Sequence, residues 1–273
     1  MSNDVDARRS RLLIIGGAAG PELLGRFVEL AGGADARIVV LATASAEPDA
    51  AEAAHVDAFT AHGAGRVRAL RIRCRADANS PGVEPLLREA TGVFFTGGDQ
   101  ERITAVIGGT ATDSTLQSLV ATGAVVLAGT SAGAAMMSGT MIVEGDSRGV
   151  SRSGVRTEPG LEFLPGVLID QHFAERGRVN RLLSAVALYP HELGMGIDED
   201  TAILTDGDCF EVLGRGAVTV VDAGAALDIR VPERGPIALV GACIHVLPAG
   251  HTFHLTGRRP VVDAAIPERG PAT

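Results

Sequence analysis

The amino-acid sequence predicts an α/β fold, a mostly parallel central sheet with helices on both sides and an antiparallel C-terminal extension. Three observations carry this prediction. Short runs that are apolar on both faces recur through the first half of the chain, as buried parallel strands require. Helix-capable stretches separate these runs, the alternation expected of βαβ units. Beyond residue 200 the helical stretches cease, and strand-like runs follow one another across Gly and Pro turns.

Taken in order, Leu12–Ile15 is the first run, closed by Gly16 and Gly17. Arg37–Ala42 is the second and Arg68–Ile72 the third. Val93–Phe95 is the fourth, ending in Thr96-Gly97-Gly98, and Ala124–Ala128 is the fifth, ending in Gly129. Ala50–His62 and Gln100–Gly123 supply helices between them. Ala174–Val186 reads as a further helix, with Val179, Leu182, Leu183 and Val186 at i, i+3, i+4 and i+7 on its buried face. Ala202–Leu204, Cys209–Leu213, Ala217–Asp222, Ile237–Leu247 and Thr252–Leu255 form the antiparallel extension of the same domain. Gly145–Gly160, polar and Arg/Ser-rich, reads as a mobile loop. No linker interrupts the chain, so residues 1–273 read as a single α/β domain with frayed tails at 1–10 and 259–273.

Composition narrows the function classes. A chain of 273 residues can bury a sizeable core in one domain. With 3% aromatic residues, no Trp and a net charge of −9, it has neither stacking platforms nor an excess of cations, which weighs against nucleic acid as a partner. The three cysteines, Cys74, Cys209 and Cys243, are scattered and contain no CxxC, as in a reduced, cytoplasmic protein. The N-terminal apolar run is too short for a signal segment, and nothing approaches the roughly 18 apolar residues of a membrane span. No membrane partner is expected. Gly16–Gly20 does not match GxGxxG, there is no HExxH, and His55 and His62 have no third ligand near them, so neither metal nor cofactor is expected.

The chemistry centres on Gly129-Thr130-Ser131-Ala132-Gly133, which follows the fifth run and precedes Ala134-Ala135-Met136-Met137. A strand, a sharp turn and a helix are the setting of a nucleophile elbow, which lifts the Ser hydroxyl above the sheet edge. The helix N-terminus behind it favours developing negative charge. A nucleophilic Ser131 needs a base and an acid to orient that base. His172 sits where the apolar run Leu168-Ile169 turns polar, and Glu199 follows the run Leu193–Ile197. Each also fits a plainer description, a structural histidine and a solvated acidic turn. Their order, Ser then His then acid, is not that of the α/β-hydrolases. At Thr96-Gly97-Gly98-Asp99-Gln100 the paired glycines permit close backbone approach. The Gly98 and Ala132 amides then form an oxyanion hole, or Gly97-Gly98 is a tight strand-to-helix turn. Arg178 and Arg181 suit bidentate contact with carboxylates, or else a solvated surface.

Five segments, FFTGGDQ, GTSAGA, GLEFLPGVLIDQHFAERGRVNRLL, GIDEDTA and GRGAVTVVD, occur in this order between Phe94 and Asp222. In content and spacing they resemble the cyanophycinase family, within the peptidase E group of serine peptidases. The resemblance implies a flavodoxin-like three-layer sandwich, similar to class I glutamine amidotransferases with Ser in place of their nucleophilic Cys. It implies Ser131 as nucleophile, His172 as base and Glu199 as orienting acid, with Gln100, Asp170, Gln171, Arg178 and Arg181 lining the substrate cleft. The implied reaction is exopeptidase hydrolysis of cyanophycin (multi-L-arginyl-poly-L-aspartate) to β-aspartyl-arginine dipeptides through an acyl-enzyme. A homodimer is implied, and no cofactor. Two alternatives stand beside it: an aspartyl dipeptidase of the peptidase E kind, and a non-catalytic binding protein on the same sandwich. Glu144–Glu158, rich in Arg and Ser, departs from the family pattern.

Overall fold

The computed structural model describes residues 10–145 and 148–261. Five strands, β1 (Arg11–Ile15), β2 (Arg37–Leu41), β3 (Arg66–Ala69), β4 (Gly92–Phe95) and β5 (Val126–Thr130), pair in parallel in the order β1-β5-β4-β2-β3. The first, second and fourth sit where the sequence predicts. The third lies earlier than Arg68–Ile72, and the fifth runs on to Thr130 rather than stopping at Ala128. That longer reach delivers Ser131 directly from the strand end.

Period-two alternation divides the side chains of this sheet between two cores. Leu12, Ile14, Val39 and Leu41 join one; Leu13, Ile15, Ile38 and Val40 join the other. The second core is covered by helices α1 (Pro21–Leu30) and α2 (Pro48–Ala61), through Leu23, Phe27 and Phe59. Phe27, Phe59 and Phe94 meet there with ring centroids 5.0–5.5 Å apart. The short α3 (Arg75–Ala78), α4 (Val83–Arg88), α5 (Gln100–Ile107) and α6 (Ala111–Ala121) cover the first core, with Leu87, Ile103, Ile107 and Leu116 fully buried. The predicted stretch Gln100–Gly123 is thus two helices. Gly109, in the left-handed region at φ +70°, turns the chain, and the Thr110 hydroxyl caps α6 by accepting from the Asp113 N–H. After Ser131 comes α7 (Ala132–Ala135).

The remaining strands do not form one antiparallel extension. β10 (Thr201–Asp206) pairs antiparallel to β1 and is continued by β11 (Cys209–Gly214), β16 (Thr252–His254) and β17 (Arg259–Val261), giving a nine-stranded mixed sheet. A separate four-stranded sheet has the order β15-β12-β9-β8, from β8 (Val167–Gln171), β9 (Leu193–Ile197), β12 (Ala217–Asp222) and β15 (Cys243–Pro248). Within it β8 and β9 are parallel. One face, with Ile169, Met195 and Val220, joins the first core of the larger sheet. The other packs on α8 (Val179–Leu188) through Leu168 and Val221. The expected run Ile237–Leu247 is broken into β14 (Ala238–Val240), which pairs with β13 (Asp228–Arg230), and β15.

Three further expectations are corrected. Residues 155–159 are not a loop: β7 (Val155–Pro159) pairs with β6 (Thr140–Gly145). The helix expected from Ala174 begins at Val179, because the Arg176, Gly177 and Arg178 amides turn back onto His172, Ala174 and Phe173 carbonyls. Val179 is accordingly 47% exposed, and the buried face centres on Leu182, Ala185 and Val186. Residues 259–261, expected as part of the C-terminal tail, are instead paired in β17; the rest of both predicted tails, 1–9 and 262–273, lies outside the described residues. No helix among the described residues is long and apolar enough to cross a membrane.

Candidate active site

Ser131 leaves β5 with φ +53° and ψ −109°, a conformation costly for a residue with a Cβ. Buried neighbours hold it: its N–H donates to the Ile15 carbonyl at 3.1 Å, and its carbonyl accepts from the Ala134 and Ala135 amides. The strand, sharp turn and short helix that the sequence predicts around Ser131 are thus present. Its hydroxyl lies 2.9 Å from His172 Nε2.

His172 stands at the end of β8, also left-handed at φ +48° and 9% exposed. Its Nδ1 lies 2.6 Å from Glu199 Oε1. An ionised carboxylate can only accept, so this geometry suits the tautomer with the proton on Nδ1, in which Nε2 accepts from Ser131. Glu199 lies just past β9, the parallel neighbour of β8, with Gln171 in register with Ile197. Adjacent parallel strands therefore deliver the imidazole and its acid side by side.

The three acids of Asp198-Glu199-Asp200 do different things. Asp198 accepts from the Ala174 and Ala217 amides at 3.0 Å each. Asp200, left-handed at φ +46°, accepts from the Gly20 amide at 2.7 Å and faces Arg215 at 3.3 Å. Both are brackets for backbone. The segment is not extended throughout, so side-chain alternation is not what separates Glu199 from its neighbours.

The loop after β1, which the sequence motifs left without a role, is the hub of this arrangement. The carbonyls of Ile15, Gly16 and Gly17 accept from the amides of Ser131, His172 and Asp200 respectively. Three successive backbone groups thus address all three segments of the site. Gly17, at φ +133°, lies against the imidazole: a Cβ there would fall 2.2 Å from His172 Cε1. The signal in the sequence was the Gly16-Gly17 pair at a strand end, but its meaning depends on a histidine 155 positions away in the chain, as 172 − 17 shows.

Gly98 has φ +142°, and a Cβ on it would strike the Ala44 carbonyl oxygen at 2.2 Å, so only glycine fits. Neighbouring Gly97 passes Ser131 closely, its notional Cβ 3.9 Å from Oγ. Neither the Gly98 nor the Ala132 amide has a hydrogen-bond acceptor among the described residues.

Four of the five residues expected to line the cleft, Asp170, Gln171, Arg178 and Arg181, converge on one another. Asp170 is wholly buried, and its carboxylate accepts from Arg181 Nε at 2.9 Å, from Arg181 Nη2, and from Arg178 Nη1 at 3.4 Å. Arg178 also donates to the Gln171 carbonyl and, at 2.6 Å, to Gln171 Oε1. Burial pushes the Arg178 guanidinium down to about 10, against the pull of Asp170. Gln100 donates to the Ile142 and Val143 carbonyls at 3.1 and 3.4 Å. Of the two arginines, three apart in sequence, Arg178 precedes α8 and Arg181 lies in its first turn, and a buried carboxylate draws them together.

The family model described as Peptidase family S51 matches residues 12–213. A cyanophycinase of Nostoc sp. is 40% identical over 261 residues, covering 92% of this chain and 88% of that protein. A cyanophycinase of Geminocystis herdmanii is 38% identical over 263 residues, covering 93% and 96%. The crystal structure of a peptidase from an acI-B1 Actinobacterium superposes with a TM-score of 0.69 at 21% identity, covering 91% of this chain and 98% of that one, a likeness of fold.

Proposed function

Because this chain belongs to peptidase family S51, we propose that it degrades cyanophycin as a serine exopeptidase, releasing β-aspartyl-arginine dipeptides. The observation that carries the serine chemistry is the hydrogen-bonded line from Ser131 through His172 to Glu199, at 2.9 and 2.6 Å.

In the reaction, Ser131 Oγ attacks a carbonyl carbon of the polymer backbone while His172 Nε2 takes its proton. Glu199 stabilises the imidazolium that forms. The unsatisfied amides of Gly98 and Ala132 receive the oxyanion, where donors already in place need no reorganisation. His172 then protonates the leaving amine, and the acyl-enzyme remains. Water, deprotonated by His172, hydrolyses it and restores the Ser131 hydroxyl. Gln100 and Arg178, both part-exposed, are the candidates for substrate contact. Asp170, Gln171 and Arg181 are buried and mutually engaged through Arg178, and we assign them to holding the cleft wall rather than to contact.

We further read residues 1–273 as one domain with flavodoxin-like layering, supported by helices over both faces of the main sheet. Three free cysteines fit a cytoplasmic setting, and the homodimer is the state that the resemblance implies.

Incubation with purified cyanophycin, followed by mass identification of the products, tests the reading. β-Aspartyl-arginine is expected. Cleavage of short aspartyl peptides with the polymer left intact would favour a dipeptidase instead. Absence of labelling at Ser131 by a fluorophosphonate would rule out the serine mechanism.

The hub loop yields a second test. Gly17→Ala drives a methyl into the imidazole and forces a side chain into a left-handed backbone. A displacement of His172 by about 1 Å is expected to cost about 10²-fold in kcat/KM. Circular dichroism should show the fold retained. A rate within threefold of the parent would mean that the ring does not depend on this contact.

A further inference from the structure

The His172 and Glu199 segments are laced together by a reciprocal pair of contacts. Asp198, one residue before Glu199, accepts from the amide of Ala174, two residues after His172. In the other direction Glu175, three residues after His172, accepts through Oε2 from the amide of Glu199 at 3.2 Å. Each segment thus offers a carboxylate to the other's backbone. Beneath them the Phe173 amide donates to the Ile197 carbonyl at 3.2 Å.

These contacts differ in setting. Asp198 also holds the Ala217 amide and is part-buried, so it serves the junction of β9 with β12 as much as the site. Glu175 is exposed, and among the described residues its carboxylate has one hydrogen bond, to the Glu199 amide. The tight turn of residues 173–178 returns it there, since the Arg176 amide closes on the His172 carbonyl and the Gly177 amide on that of Ala174. Glu199 needs such a constraint. Its side chain is 36% exposed, against 11% for His172, so packing leaves it free to rotate toward water. A fixed backbone keeps the root of that side chain in place, so that Oε1 has fewer torsions to hold in order to reach Nδ1.

From this geometry we infer that Glu175 is a positioning residue, which acts on catalysis through Glu199 by fixing the Glu199 backbone amide. The inference rests on the proposed role of Glu199 as orienting acid. Glu175 touches neither substrate nor reacting atoms.

The test is a double-mutant cycle on the full chain with cyanophycin as substrate. Glu175→Ala should lower kcat by about three- to tenfold, the scale of one hydrogen bond, with KM changed less than twofold. Glu175→Gln keeps an acceptor oxygen and should restore kcat to within twofold of the parent. In a Glu199→Gln background, Glu175→Ala should add less than twofold, because residues that act as a unit are not additive. The inference is overturned if Glu175→Ala leaves kcat unchanged, if its effect multiplies fully onto Glu199→Gln, or if Gln rescues nothing. A crippled Glu199→Gln beside an unaffected Glu175→Ala removes the inference alone. A fully active Glu199→Gln removes both the inference and the triad on which it rests.

Discussion

Replacement of Ser131 by alanine is expected to lower kcat/KM on cyanophycin by roughly 10⁴-fold or more, leaving only what binding and the proposed oxyanion amides supply. The expectation comes from the elbow. Ser131 Oγ has His172 Nε2 as its hydrogen-bond partner, while every other contact that fixes the turn runs through backbone: Ile15 carbonyl to Ser131 amide, Ser131 carbonyl to the Ala134 and Ala135 amides. Alanine keeps those contacts and removes the nucleophile. The thermal midpoint should move by no more than a few degrees, since one part-exposed hydroxyl contributes about 1 kcal/mol. Kinetics with cyanophycin and a melting curve on the same preparation decide the matter. A well-folded variant with parent-like turnover would end the assignment of Ser131.

Glu199→Gln is expected to cost roughly 10³- to 10⁴-fold in kcat/KM. An amide either holds the imidazole with a neutral oxygen, which stabilises the imidazolium poorly, or presents its NH₂ and favours the wrong tautomer. Asp198→Asn and Asp200→Asn should each stay within about tenfold of the parent. Asparagine keeps one acceptor oxygen, enough for the Gly20 amide at Asp200 and for one of the two amides, Ala174 or Ala217, at Asp198. Rates for all three variants, measured together, test the assignment by their order. If Asp198→Asn or Asp200→Asn is the crippled one and Glu199→Gln turns over normally, the orienting acid has been misplaced.

How legible each part was depended on the range of the interactions behind it. The parallel strands were readable because burial on both faces leaves a continuous apolar run, as in Leu12–Ile15 or Val93–Phe95. The turn that carries Ser131 was readable because it is local: strand, turn and helix lie within a dozen residues. His172 and Glu199 had only strand-end positions to recommend them, and the family resemblance supplied the rest. What stayed hidden was pairing at a distance. Nothing local separates β10 and β11, which extend the main sheet, from β12 and β15, which belong to the other. β7 reads as loop because Arg156 and Glu158 are polar, yet its ladder with β6 is closed by side chains. Arg156 forms ion pairs with Glu101, Glu144 and Glu158 at 2.9, 3.3 and 3.0 Å. The Glu101 carboxylate, held by Arg156, lies below its ordinary range. Asp170 was named for the cleft by the family resemblance alone, and its burial beside Arg178 and Arg181 is a long-range packing that no local pattern shows.

Ser131 is carried by the nine-stranded sheet, His172 and Glu199 by the four-stranded one, and the chain crosses from the second to the first through Asp198–Asp200 itself. The proposed proton relay is therefore built across a joint rather than within one wall. A slip of about 1 Å along that joint is enough to open the Ser131–His172 contact and cost about a hundredfold in rate. Each sheet keeps its own ladder through such a slip. Turnover is in this sense a strain gauge for the seam: along a urea titration, activity is expected to fall before the far-UV circular dichroism of the two sheets, and coincident transitions would show that the seam holds as firmly as the sheets.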